Sequence, residues 1–379
     1  MAATNHRPSR ATSTTLLLLA VAACTEGNPP QAIRVDTLES GAVLVSNPAV
    51  GAWGQRPAWR LTDEVKIGAR NGDGPDVFGQ VVDIELDALG RLYVLDLHAQ
   101  EVRLFDGDGS FVRRFGGPGG GPGEFKLANG LEFDPDGRLW VLNQNNQRYS
   151  LFDTSGVLLE ELPRRSHITM ACTWNAAFTP AGDLYDWGSR YDTSRGELID
   201  TPGPGLPEGT PLGWGYHMLT PRGWWVGVAS EYRLWHVTFD GDTVRIVQRD
   251  HELNPLPETQ RDSAERELRR LRQRARGRVD MLGAPQYQRI FNRMVVDDRG
   301  YLWVLLSSED DAPGTTFDVF DPEGRYLGAV PAPYRVEPQP PWSICNGPPP
   351  VIRGDKIAFV TKDEFDVDYV VMMRIQGRE

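Results

Sequence analysis

Cysteine is scarce in this chain, with three residues in 379. Apart from Cys24 near the N-terminus, only Cys172 and Cys345 remain, which excludes a disulfide-dense scaffold and a thiolate zinc site. Histidine is almost as rare, at six residues. His167 and His217 are candidates for a channel mouth, but no pair has metal-ligand spacing and H-E-x-x-H is absent, so no metal and no cofactor is expected. No G-x-S-x-G elbow occurs, and no carboxylate pair stands out from the turn aspartates, so no catalytic residue is assigned. Beyond residue 23 no apolar run is long enough to span a bilayer. Positive charge is also in deficit. Forty Lys and Arg face 52 Asp and Glu, for a net charge of −12, which argues against nucleic acid as a partner. The glycine-rich stretch FGGPGGGPGEF (115–125) lacks the Lys-Ser or Lys-Thr that a phosphate loop needs after its last glycine.

What the sequence does contain is repetition. FGQVVDIELDALGRLYVLDLHAQEVRLFDGDGSFVRRFG (78–116) is followed by FKLANGLEFDPDGRLWVLNQNNQRYSLFDTSGVLLEEL (125–162). Phe78 and Phe125, Asp87 and Asp134, Gly90 and Gly137, and Asp106 and Asp153 pair at an offset of 47. Each copy holds four short apolar runs separated by turn residues, the pattern of a four-stranded antiparallel meander. Weaker copies turn at Gly182, Gly223, Gly300 and Gly354. Four-stranded units at this period predict an all-β fold, a β-propeller. Six blades are expected, with seven as the alternative, and the strand stretch at 33–47 is expected to close the ring at its C-terminal blade.

The pattern D-x-x-G-R-L-[YW]-V-L followed by L-F-D-x-x-G resembles NHL-type repeats, and the whole resembles six-bladed β-propeller lipoproteins of Gram-negative bacteria. At the N-terminus, Arg7 and Arg10 precede an apolar run, and Val21-Ala22-Ala23-Cys24 resembles a lipobox. Residues 1–23 therefore read as a lipoprotein signal, Cys24 as the lipidation site and 24–32 as a flexible tether. This layout implies an exported protein, lipid-anchored at the cell envelope, at the outer membrane facing the periplasm or the cell surface. The only contact with membrane would be through the lipid.

In such a blade the turns a–b and c–d share one face, and here they are uniformly short: DALG, DPDG, DGDG, DTSG, DPEG. Insertions at 187–201, 307–315, 331–350 and 251–288 fall on the opposite face. The largest carries an arginine-rich helical pattern within 252–288, with Ala264, Leu268 and Leu271 on one stripe. Binding is expected on this elaborated face. His167, Trp174, Tyr216, His217, Arg289 and Asn292, read as preceding its inner strands, are the candidate ligand-binding residues. Cys172 and Cys345 are either a disulfide or two buried thiols. The reading is a monomeric binding module for an envelope protein, peptide or glycan, and more a binder than an enzyme. A hydrolase or lyase of lactonase-like or metal-assisted type at the channel mouth is the alternative.

Overall fold

The computed structural model describes residues 32–164, 174–186, 189–195, 197–199, 215–274, 286–307, 312–336 and 347–378. Three strands open the compact unit Ala32–Glu379: β1 (Arg34–Thr37), β2 (Val43–Asn47) and β3 (Arg60–Ile67). Blade 1 then holds β4 (Val81–Leu86), β5 (Leu92–Asp96), β6 (Glu101–Phe105) and β7 (Phe111–Gly116). Blade 2 holds β8 (Ala128–Phe133), β9 (Leu139–Asn143), β10 (Arg148–Phe152) and β11 (Leu158–Pro163). Blade 3 holds β12 (Ala176–Phe178), β13 (Leu184–Asp186), β14 (Ser189–Asp192) and β15 (Glu197–Ile199). In blade 4 are β16 (Gly215–Thr220), β17 (Gly223–Val228), β18 (Arg233–Val237) and β19 (Thr243–Arg249), followed by the helix α1 (Glu258–Arg274). Blade 5 is β20 (Phe291–Val296), β21 (Leu302–Leu306), β22 (Thr315–Phe320) and β23 (Tyr326–Ala332). Blade 6 takes β24 (Val351–Arg353), β25 (Lys356–Lys362) and β26 (Asp368–Gln376) from the C-terminus. The fold is a six-bladed β-propeller.

The turn aspartates explain why the repeat is so regular. Asp134 accepts the backbone N–H groups of Asp136 and Arg138 on one oxygen, at 3.0 and 2.8 Å. Its other oxygen accepts Arg138 Nε at 2.6 Å and the buried indole Nε1 of Trp140 at 2.8 Å. Asp87 with Tyr93 and Asp297 with Trp303 repeat the arrangement. The carboxylate thus closes the a–b turn and satisfies the polar tip of the aromatic that fills the blade interior. An aspartate with both oxygens committed in this way is structural.

Ring closure departs from the expectation. The closing strand is β3, which pairs antiparallel with β26 from Arg60↔Gln376 to Ile67↔Val370 and supplies the fourth strand of blade 6. The stretch 33–47 instead forms the β1–β2 hairpin on the outer edge of blade 4, where β2 runs parallel to β19. Length and burial account for the difference. The nine-residue β26 needs a long partner, and the eight-residue β3 also places Ile67 among the buried side chains between blades 6 and 1. Between the two, residues 51–53 follow β23: Ala52 and Trp53 donate their N–H groups to Tyr326 and Leu327 carbonyls at 3.1 and 2.8 Å. The N-terminal segment therefore straps the outer rims of blades 4, 5 and 6 in turn.

The helix lies inside an excursion with a closed base. Leu256 donates to the Gln286 carbonyl and Gln288 to the Asn254 carbonyl, both at 2.8 Å, so the chain leaves and returns at one point. Glu258 begins α1 directly after Pro257, a favourable start near the positive end of the helix dipole. Ala264 is fully buried, whereas Arg261, Arg266, Arg269 and Arg270 are exposed.

Candidate functional site

The two faces of the ring differ in their turns, although the stretch 187–201, expected as an insertion on the elaborated face, instead holds β14 and β15 of blade 3. On one face the a–b and c–d turns share one backbone pattern, in which residue i donates to the carbonyl of i+4 and residue i+3 donates back to i. It is seen at Asp87, Asp106, Asp134, Asp153, Thr179, Thr238, Asp297 and Asp321. The opposite face carries the b–c loops and the blade-to-blade connections, including the 250–290 excursion. The b–c loop tips His98, Asn145, Glu231 and Phe365 are all exposed there.

The glycine-rich loop 115–125 lies on this face and is filled by its own carboxylate. Gly121 N–H donates to Glu124 Oε2 at 2.7 Å, and a Cβ at Gly119 would fall 2.0 Å from the same oxygen. Phe125, 1% exposed, packs its ring edge-on against Phe152 at 5.9 Å and begins blade 2. The loop is a blade connection with no room for a phosphate.

The channel itself holds a constellation that the sequence reading passed over. Asp83 on β4 accepts the Leu131 N–H of β8 at 2.8 Å and its neighbour Ile84 N–H at 3.0 Å. Glu85 and Glu132 are the penultimate residues of the inner strands β4 and β8, and Arg353 ends β24, so the three sit toward the short-turn face. Arg353 Nη1 donates to the Leu86 carbonyl at 2.8 Å, joining blade 6 to blade 1. Burial raises Asp83 to about 7, opposed by its two backbone hydrogen bonds and by Arg293. Burial and then the Asp83 charge raise Glu85 to about 8, with Arg353 opposing. Glu132 is pushed well above the usual carboxylate range by burial and by Glu85 and Asp83. Charge on Asp83 or Glu85 opposes ionisation of its neighbours, so the three titrate as a group, with Glu85 mostly protonated at neutral pH and Asp83 about half so. Among the described residues no group of His, Cys, Asp and Glu is arranged to hold a metal ion. The signal for these acids was present in the repeat, since Glu85 and Glu132 match at the 47-residue offset and each interrupts an apolar inner strand.

The six sequence candidates are not gathered at one point. Trp174 is 7% exposed and stacks on Tyr149 at 5.7 Å. Its indole Nε1 donates to Asp186 Oδ1 at 2.9 Å, and a Cβ at Gly130 would stand 2.1 Å from the Trp174 Cβ. Asp186 also accepts Tyr149 Oη at 2.7 Å and Arg164 Nε at 2.8 Å, so Trp174 belongs to a buried seam between blades 2 and 3. Asn292 accepts Ser307 Oγ at 3.2 Å, and its counterpart Asn129 donates to Gln144 Oε1 at 2.9 Å. Both tie a bulge in the inner strand to the start of the b–c loop. Arg289 is half-buried just before β20. Tyr216 and His217 lie on β16, the inner strand of blade 4, with side chains outside the described set. His167, Cys24, Cys172 and Cys345 lie outside the described residues.

Residues 75–193 match a family model, DUF5128, described as a 6-bladed beta-propeller. No curated protein matches the chain. Among solved structures, a Bacteroides fragilis protein described as exported is 13% identical, with a TM-score of 0.50 over 88% of this chain and 99% of that one. A DUF4221 member from Bacteroides vulgatus is 10% identical, with a TM-score of 0.47 over 84% and 99%. Virginiamycin B lyase from Staphylococcus aureus is 12% identical, with a TM-score of 0.43 over 83% and 99%. Likeness at these identities concerns the fold alone.

Proposed function

We propose that this chain is an exported, lipid-anchored envelope propeller that binds a protein, peptide or glycan through its elaborated face. The observation that carries the reading is the asymmetry of the ring. One face is built from near-identical tight turns, and the other carries the b–c loops and the blade-to-blade connections, the 250–290 excursion among them, with exposed loop tips of differing chemistry. Loops set on a rigid scaffold are where recognition residues concentrate. The B. fragilis neighbour described as exported accords with the signal-like N-terminus. The test is affinity capture from envelope extracts with substitutions at His98, Asn145, Glu231 and Phe365, against a control set at Leu89, Asp108 and Asp136 on the short-turn face. Loss of capture by the first set alone supports the reading, and equal capture by both sets refutes it.

A second reading, a hydrolase or lyase acting in the channel, is favoured by the cluster of Asp83, Glu85 and Glu132, whose carboxyl groups burial raises above the usual range. A carboxyl that is neutral near pH 7 can serve as a general acid. Turnover of any ester, lactone or glycoside substrate that is abolished by Glu85→Gln and Glu132→Gln would establish it. Unchanged turnover in both variants would dismiss it.

A further inference from the structure

The arginine-rich helix is not absorbed by either reading. α1 carries six arginines against four carboxylates, and the carboxylates Glu258, Asp262, Glu265 and Glu267 all fall in its first ten residues. From residue 268 to 279 there are six arginines and no acid. This is a strongly basic element on a chain of net charge −12. At about 100° per residue, Arg266, Arg269 and Arg270 fall on the side of α1 opposite the buried Ala264, and all three are exposed. Arg266 donates to Ser263 Oγ at 2.8 Å, and Arg269 approaches Glu265 at 3.7 Å, an exposed pair of little strength.

The position of α1 relative to the start of the ring suggests what the arginines meet. Strand β19 runs toward the elaborated face and leads directly into the 250–290 excursion. Parallel to it, β2 ends at Asn47 opposite Arg249, and antiparallel to β2, β1 begins at Arg34 opposite Ser46. The chain upstream of Arg34 therefore joins blade 4 at the same end of the sheet from which the helical excursion departs. Nine residues, 25–33, separate Cys24 from Arg34, ten steps along the chain with a reach of at most about 36 Å. A chain held at a bilayer by this segment would keep the rim that bears α1 near the lipid surface.

We propose that α1 rests on the phosphate headgroups of an anionic bilayer and sets the elaborated face toward the membrane, so that the partner of that face is itself membrane-associated. The inference rests on the lipid-anchor reading. The complementarity is between exposed guanidinium groups and lipid phosphates, which accept hydrogen bonds from arginine as well as its charge. The body outside α1 carries net negative charge, which the same surface would repel, so the rim that bears α1 is the side favoured to face it.

The test uses the full chain carrying Cys24→Ser, which removes the acylation site, on vesicles of phosphatidylcholine alone and with three parts in ten phosphatidylglycerol. The quantity read is the change in the ratio of binding to the two vesicle types between this chain and its α1 variants, across which the N-terminal segment with its Arg7 and Arg10 is held constant. Preference for the anionic vesicles is expected. It should fall about fivefold per arginine and on the order of a hundredfold in Arg266→Gln/Arg269→Gln/Arg270→Gln. It should also fall as salt rises from roughly 0.05 to 0.5 M. These are exposed positions, and an unchanged thermal melt confirms that the variant is folded. Equal binding to both vesicles, an undiminished ratio in the triple variant, or arginine-dependent binding to polyglutamate with none to the anionic vesicles overturns the proposal. Mass spectrometry of the mature N-terminus tests the anchor separately. An unmodified residue upstream of Cys24 sinks the anchor reading whatever the vesicles show.

Discussion

The Asp83 carboxylate of blade 1 accepts the Leu131 backbone N–H of blade 2 at 2.8 Å. This contact links neighbouring inner strands through a side chain that burial drives toward its protonated form. Either the neutral or the ionised carboxyl can accept the N–H, so the seam survives titration while the charge it carries does not.

Removing the acceptor should therefore differ from removing the charge. Asp83→Ala leaves the buried Leu131 N–H unsatisfied and should lower unfolding free energy by about 1–3 kcal/mol. Asp83→Asn keeps a carbonyl oxygen in place and should cost much less. Urea denaturation at pH 7 separates the two. Equal losses would mean that the charge of Asp83, and not its hydrogen bond, holds the seam.

The pH dependence follows from three raised carboxyl groups facing Arg293 and Arg353. Asp83 rises to about 7, Glu85 to about 8, and Glu132 well above the usual range. In the unfolded chain such groups titrate near 4. Their stabilisation is fully present below that value and is lost as pH climbs through the folded values. Stability should fall by a few kcal/mol, in order of magnitude, between roughly pH 4 and pH 8. Glu132→Gln removes one charge and relieves Glu85, so its loss over that window should be smaller. Urea midpoints at half-unit pH steps provide the check, and parallel curves for both proteins would contradict the channel assignment.

Gly130 is a packing test of the blade 2–blade 3 seam. A Cβ there would meet the Cβ of Trp174 at 2.1 Å, and Trp174 is fixed by Asp186 and stacked on Tyr149. Gly130→Ala should cost about 1–3 kcal/mol or more, because neither partner can yield without breaking the seam. Thermal unfolding followed by tryptophan fluorescence reads the loss. A neutral result would show that this seam is plastic.

The sequence revealed the blades because their devices are local. Asp134, Gly137 and Trp140 close a turn and fill a blade within seven residues, so composition and spacing are enough to read them. The channel was read less well. Glu85 and Glu132 recur at the repeat offset, but each stands two residues before a turn aspartate and blends with it. Trp174 looked like a lining residue because it follows a long connection, although its indole is spent on Asp186. Ring closure was misplaced for a different reason. The hairpin signal around Gly41 is real, but the pairing of Val43 with Arg245 and of Ile67 with Val370 spans about two hundred residues or more, and no local pattern encodes it.

That non-local closure provides the last prediction. If β3 closes the ring, a chain beginning at residue 57 retains Arg60–Ile67 and should still form all six blades, although blade 4 loses its outer hairpin and Asn47 no longer donates to Gln248 and Gly324 at 3.1 and 3.0 Å. It should be folded but less stable, since buried Asn47 also accepts the Tyr326 N–H at 2.7 Å. A chain beginning at residue 69 lacks β3, leaves β26 as an open edge with its buried Val370 and Met372 face uncovered, and should aggregate or expose ready protease sites. Limited proteolysis and far-ultraviolet circular dichroism on both truncations distinguish the cases. A folded chain from residue 69 would show that blade 6 can stand with three strands, and that the strap stabilises the rim without closing the ring.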